Sequence, residues 1–125
     1  MRPGILVGLV VAGALGALAR FLFDGIVEGQ TDGAFPWGTF VVNVTGSLLV
    51  GLVAGAALYH ALPSTPATWL AVGFCGSYTT FSTFAFETVR LLEEGETSGA
   101  VLNAVGTMLA GAAAATAGLL LAAAV

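Results

Sequence analysis

From Gly33 to Phe86 the sequence contains no Asp, Glu, Lys or Arg. A water-soluble domain does not tolerate such a run, because about a quarter of its residues are charged. Here the whole chain is 58% hydrophobic and 8% charged, with a mean hydropathy of +0.99. The run is long enough for more than one membrane helix of ~20 residues. It is not uniform, however. The stretch Gly73-Phe74-Cys75-Gly76-Ser77-Tyr78-Thr79-Thr80-Phe81-Ser82-Thr83-Phe84 puts glycines, hydroxyls and aromatics into the middle of apolar sequence. Glycine is too free and threonine too ready to bond locally for an ideal helix. Non-helical backbone at bilayer depth is tolerated only where it is buried in protein or lines a wet cavity. The stretch therefore predicts a helix break near Gly76 to Thr79, at a site that handles something polar inside the membrane.

Around it, four apolar segments predict an all-α, multi-pass cell-membrane protein whose 125 residues form a single four-span domain, with spans at about 5–23, 39–60, 69–86 and 99–124. A charged loop from Asp24 to Ala34, a short loop from His60 to Thr68 and a second charged loop from Glu87 to Thr97 separate them. Three spans carry a row at i+4 spacing: Gly8, Ala12, Gly16, Arg20; then Thr39, Asn43, Ser47, Gly51, Gly55; then Gly99, Asn103, Thr107, Gly111, Ala115. Such a row lies on one helix face, and small residues in it let helix backbones approach closely. A leader reading, with Ala17-Leu18-Ala19 as cleavage site, would remove the first of these faces and is set aside. His60 reads as a solvated loop residue.

Orientation is poorly specified. With four spans, Arg2 falls on one side and Arg20 and Arg90 on the other. Only Lys and Arg weigh strongly in topology, so the chain is able to insert both ways, which would permit an antiparallel dimer. The three scattered arginines offer nothing to nucleic acid.

The polar residues set the chemistry. No paired carboxylates, no partnered histidine, no metal-ligand cluster and no nucleotide-binding glycine pattern is present, so an enzyme is not expected. A proton-coupled carrier needs an intramembrane carboxylate as relay, and none falls at mid-span. A passive pathway fits better than a coupled small-ion or drug antiporter of the four-span type, or a non-transporting assembly protein. Asn43 is either glue between helices or a donor facing a path. Arg20 is either an interfacial side chain with its charge in water or a charge at a pathway mouth. Phe81 and Phe84, three apart, are either packing residues or rings whose positive edges face an anion. The residues by themselves lead to a small ion or polar solute, with an anion favoured.

Three segments, Gly13-Ala-Leu-Gly-Ala-Leu-Ala-Arg20, Trp37-Gly-Thr-Phe-Val-Val-Asn43-Val-Thr-Gly-Ser47 and Gly73 to Phe84, together with the Asn103 stripe, closely resemble the Fluc (CrcB) fluoride channels over essentially the whole chain. The resemblance implies a dual-topology antiparallel dimer with two fluoride pathways and passive fluoride export. It implies that Asn43, Phe81 and Phe84 line those pathways, that Ser82, Thr83, Asn103 and Thr107 extend the polar track, and that Arg20 stands near a vestibule. It also implies a sodium ion at the dimer centre, held by the backbone carbonyls of Gly76 and Thr79. The partner would be a second copy or a paired homologous subunit, in membrane lipid. Ser77 stands where many members have glycine, and Asn103 where some have tyrosine.

Overall fold

A computed structural model describes all 125 residues, and every regular element in it is helical. Helix α1 spans Pro3–Gln30 and α2 spans Trp37–Tyr59. Helix α3 covers residues 64–78, with a π-helical middle at Trp69–Cys75. Helix α4 spans Phe81–Glu93. Helix α5 spans Thr97–Ala124, with a second π-helical stretch at Leu102–Gly106. Helices α1, α2 and α5 are each long and apolar enough to cross a membrane. Helices α3 and α4 are each shorter than the ~20 residues a crossing needs, and only two residues, Thr79 and Thr80, separate them. The chain is a multi-pass membrane protein, helical throughout its regular structure.

The helices run further than the loops expected from composition. The stretch Asp24 to Gln30 continues α1, α3 begins at Ser64, and α4 runs on to Glu93. Hydropathy marks where a helix leaves the apolar layer, not where it ends. Glu, Gln, Leu and Arg are good helix formers in water too. The polar connection between α1 and α2 shrinks accordingly to residues 31–36. Helix α4 ends where Gly95 takes up a φ of +79°, which lets Glu96 N–H reach Leu91 O at 2.8 Å and Gly95 N–H reach Leu92 O at 3.1 Å. This double bond over a left-handed glycine is the Schellman stop, and it turns the chain straight into α5.

The small-residue rows hold the bundle together. Gly51 of α2 lies against the backbone of Ala115, and Gly118 of α5 against the backbone of Leu48 and Leu52, so the two helices are locked at backbone distance. Between α1 and α3, Gly16 meets the Phe74 backbone and Gly8 the Trp69 ring. The Trp69 indole N–H also donates to Ile5 O at 3.0 Å.

The distribution of polarity is inverted relative to a soluble protein. Thr39, Thr80, Asn103 and Thr107 are buried, whereas Phe81 is 79% and Met108 69% exposed in the single chain. Polar groups inside and large apolar groups outside are what a lipid surround and a subunit contact require.

Candidate functional site

The site is built where α3 stops. Tyr78 is the last helical residue, and Thr79 (φ −79°, ψ 158°) and Thr80 (φ −146°, ψ 119°) are extended. Gly76 itself keeps right-handed helical angles. The backbone therefore leaves the helix at the two threonines, one residue beyond Tyr78, and not at the glycines. Threonine side chains supply the stop: Thr79 Oγ1 bonds back to Cys75 O at 2.8 Å, and Thr80 Oγ1 accepts from Thr83 N–H at 3.2 Å as the N-cap of α4.

An extended pair of residues leaves peptide groups without helical partners, and Asn43 of α2 meets them. Its Oδ1 accepts from Thr80 N–H at 2.8 Å, and its Nδ2 donates to Thr80 O at 3.0 Å. One side chain thus satisfies both peptide groups of one residue. Gly46, one turn along α2, gives room for Tyr78 and Thr79, and the Tyr78 hydroxyl lies 2.9 Å from Thr45 Oγ1. One Nδ2 hydrogen of Asn43 is used in the clasp and the second is left. The two readings of Asn43, glue and donor, are compatible on this geometry.

A cavity of about 450 Å³ opens beside the clasp, walled by Asn43, Ser47, Thr79, Thr80, Phe81, Phe84 and Thr107, with Val50, Met108 and small residues of α5 behind them. No ionisable side chain lines it. The Phe81 and Phe84 rings are neighbours, with centroids 5.8 Å apart at 48°. A second cavity, of about 260 Å³, is walled by Arg20, Asp24, Thr39, Thr80 and Thr83 together with Ala17, Phe21 and Val42. Arg20 is therefore in a polar recess, and Asp24, one turn on along α1, faces the same space and offsets its charge.

The residues expected from sequence do not all meet in one place. Asn43, Phe81, Phe84 and Thr107 share the larger cavity, and Arg20 and Thr83 share the smaller. Ser82 is exposed and lines neither; its hydroxyl is 3.4 Å from Thr80 Oγ1. Asn103 is fully buried behind the cavity wall. It donates from Nδ2 to Thr88 Oγ1 at 2.9 Å and accepts at Oδ1 from Thr107 Oγ1 at 3.2 Å. Gly76 is exposed and Thr79 half-buried, and no backbone N–H donates to the Thr79 carbonyl, which lies outside the helices.

Residues 7–119 match the family described as CrcB-like protein, Camphor Resistance (CrcB). The chain belongs to the CrcB family. Its relatives include a protein of Frankia casuarinae named fluoride-specific ion channel FluC 1, 50% identical over 94% of this chain and 95% of the relative. A protein of Leifsonia xyli with the same name is 43% identical over 95% of this chain and 87% of its own. Nitrobacter winogradskyi has a fluoride-specific ion channel FluC that is 44% identical over 89% of this chain and 94% of the relative.

In this CrcB-family chain two features escaped the sequence reading. Thr80 sits in a hydroxyl-rich run whose members look alike in sequence, and only the bond from Thr83 N–H to its Oγ1 singles it out as the N-cap of α4. His60 is not merely solvated: its Nε2 is 2.6 Å from Ala122 O, tying the end of α2 to the end of α5. No local pattern announces a contact across 62 residues.

Proposed function

We propose that this chain is the subunit of a fluoride channel that lowers cytoplasmic fluoride by passive export. The observation that carries the reading is the larger cavity. It is lined by hydroxyl and amide side chains and phenyl rings but no fixed charge, and its walls come from the Trp37–Ser47 and Gly73–Phe84 segments and the Asn103 stripe that resemble the fluoride channels. The relatives' printed names agree with it. A small, strongly hydrated anion needs donors at close range to replace its water, and a path without a cation at mid-depth holds it weakly enough to let it leave. Asn43, Thr107, Phe81 and Phe84 would contact the ion in this cavity, with Thr83 and Arg20 at the approach. Asn103 acts one step back, by orienting Thr107. Ser82 joins the track only if a neighbouring subunit covers it.

The working unit in this reading is an antiparallel dimer, with the interrupted segment α3–α4 of each copy acting as one broken membrane span. Two observations support it: the exposed apolar surface around Phe81 and Met108 needs a cover, and three arginines give little orientation bias. A sodium ion at the dimer centre fits the residues present. The backbone carbonyls of Gly76 and Thr79, at the end of α3, are oxygen donors, and two from each copy would give four. Such an ion would contribute positive charge and cross-linking between the copies.

Export needs no coupling. Hydrogen fluoride crosses membranes as a neutral acid and dissociates inside, and an interior-negative potential drives the trapped anion out by about 2.3 kcal/mol per 100 mV. The discriminating experiment imposes a potassium-diffusion potential on liposomes with no proton or sodium gradient. Fluoride movement that follows the potential alone is expected. Movement that requires a second ion gradient would indicate an antiporter and overturn the reading.

A further inference from the structure

Thr80 is the one residue that walls both cavities. Its side of the larger space is completed by Asn43 and Phe81, and its side of the smaller by Thr83 and Arg20. The residue is 8% exposed, and its backbone is held at both peptide groups by Asn43. Its hydroxyl is held differently. The oxygen is anchored, because it accepts from Thr83 N–H at 3.2 Å as the cap of α4. The hydrogen is directed to Thr83 Oγ1 at 3.0 Å, a hydroxyl that is itself a wall of the smaller cavity and can rotate to other partners.

We propose that the Thr80 hydroxyl is the donor that passes the anion between the Arg20-lined recess and the cavity of Asn43 and Phe81. The inference rests on the fluoride reading above and adds to it a residue that selects at the junction. An arriving anion draws the Thr80 O–H away from Thr83 Oγ1 while the oxygen keeps its bond to Thr83 N–H. The cap therefore stays made while the hydrogen changes partner, and α4 does not have to move. A residue that caps and donates with the same hydroxyl must be Thr or Ser. Valine has the shape without the hydroxyl, and aspartate has the cap acceptor without a hydrogen to give.

The test uses the full chain in liposomes with fluoride and chloride efflux measured side by side, and thermal unfolding of the same preparations. Thr80→Val is expected to lower fluoride efflux about tenfold, the loss of one hydrogen bond to a charged group. Thr80→Ser is expected to recover most of that loss. Thr80→Asp keeps the cap acceptor but sets a carboxylate at a buried site, so both its fluoride efflux and its unfolding temperature should fall. A structural role alone would make fluoride efflux follow stability across the Val and Ser variants. If folded Val or Asp protein conducts fluoride like the parent, the assignment of Thr80 is overturned and the channel reading stands. A parent chain without fluoride efflux would overturn the channel reading and this inference with it.

Discussion

At the level of single residues, the clasp between Asn43 and Thr80 joins structure and chemistry in one side chain. Asn43→Asp keeps the acceptor for Thr80 N–H but sets a second oxygen against Thr80 O where Nδ2 donates. It also places a negative charge in a cavity that has none. Breaking one such bond at a part-buried site costs about 1–3 kcal/mol. Asn43→Asp is therefore expected to lower both the unfolding temperature and the fluoride efflux, with efflux falling by more than tenfold, a factor that corresponds to about 1.4 kcal/mol. Phe81→Ile and Phe84→Ile keep apolar bulk without a positive ring edge. Each should reduce fluoride efflux while detergent-solubilised protein elutes at the parent's size. Parent-like efflux from both would make the rings packing residues. Asn43, Phe81 and Phe84 were legible as a group because polar and aromatic residues are conspicuous in apolar sequence. The partner of Asn43 was not, since a bond across 37 residues depends on how α2 lies against the interruption.

At the level of the helices, close approach is the rule, and it separates glycines that look alike in sequence. A Cβ at Gly51 would run into the backbone of Ala115, whereas one at Gly29 would meet nothing within 4 Å. Gly51→Ala is expected to destabilise by about 1–3 kcal/mol, because backbone cannot yield as a side chain can. Gly29→Ala should be neutral or stabilising by about 0.5–1 kcal/mol. Thermal unfolding of the two variants in one detergent checks the contrast. The i+4 rows announced which helix faces are close, since Gly51 and Gly55 recur on one face of α2. The π-helical stretches at Trp69–Cys75 and Leu102–Gly106 were not announced. They mark places where packing, not local propensity, decides the backbone: the first carries Gly73 against Ala12 and Leu9, and the second carries the fully buried Asn103. The position of the interruption has the same lesson. Glycine at Gly76 permits a bend, but the hydroxyls of Thr79 and Thr80 supply the bonds that end one helix and begin the next.

For the whole molecule, the antiparallel dimer proposed above makes a prediction about orientation. The N-terminus and the loop at residues 60–63 share one membrane side, and Arg20 and Arg90 mark the other. Two lysines placed in that loop should bias insertion, since Lys and Arg set topology. Active protein is then expected to fall, and to return on co-expression with an oppositely biased copy. Undiminished activity from a population of demonstrably single orientation would argue for a parallel or monomeric unit. The central claim is that this chain by itself conducts fluoride selectively. Fluoride efflux from liposomes that contain only this purified chain, with chloride efflux as the paired control, tests it most directly. Rapid fluoride loss with chloride retained is the expected result; equal loss of both ions, or retention of both, would contradict the account.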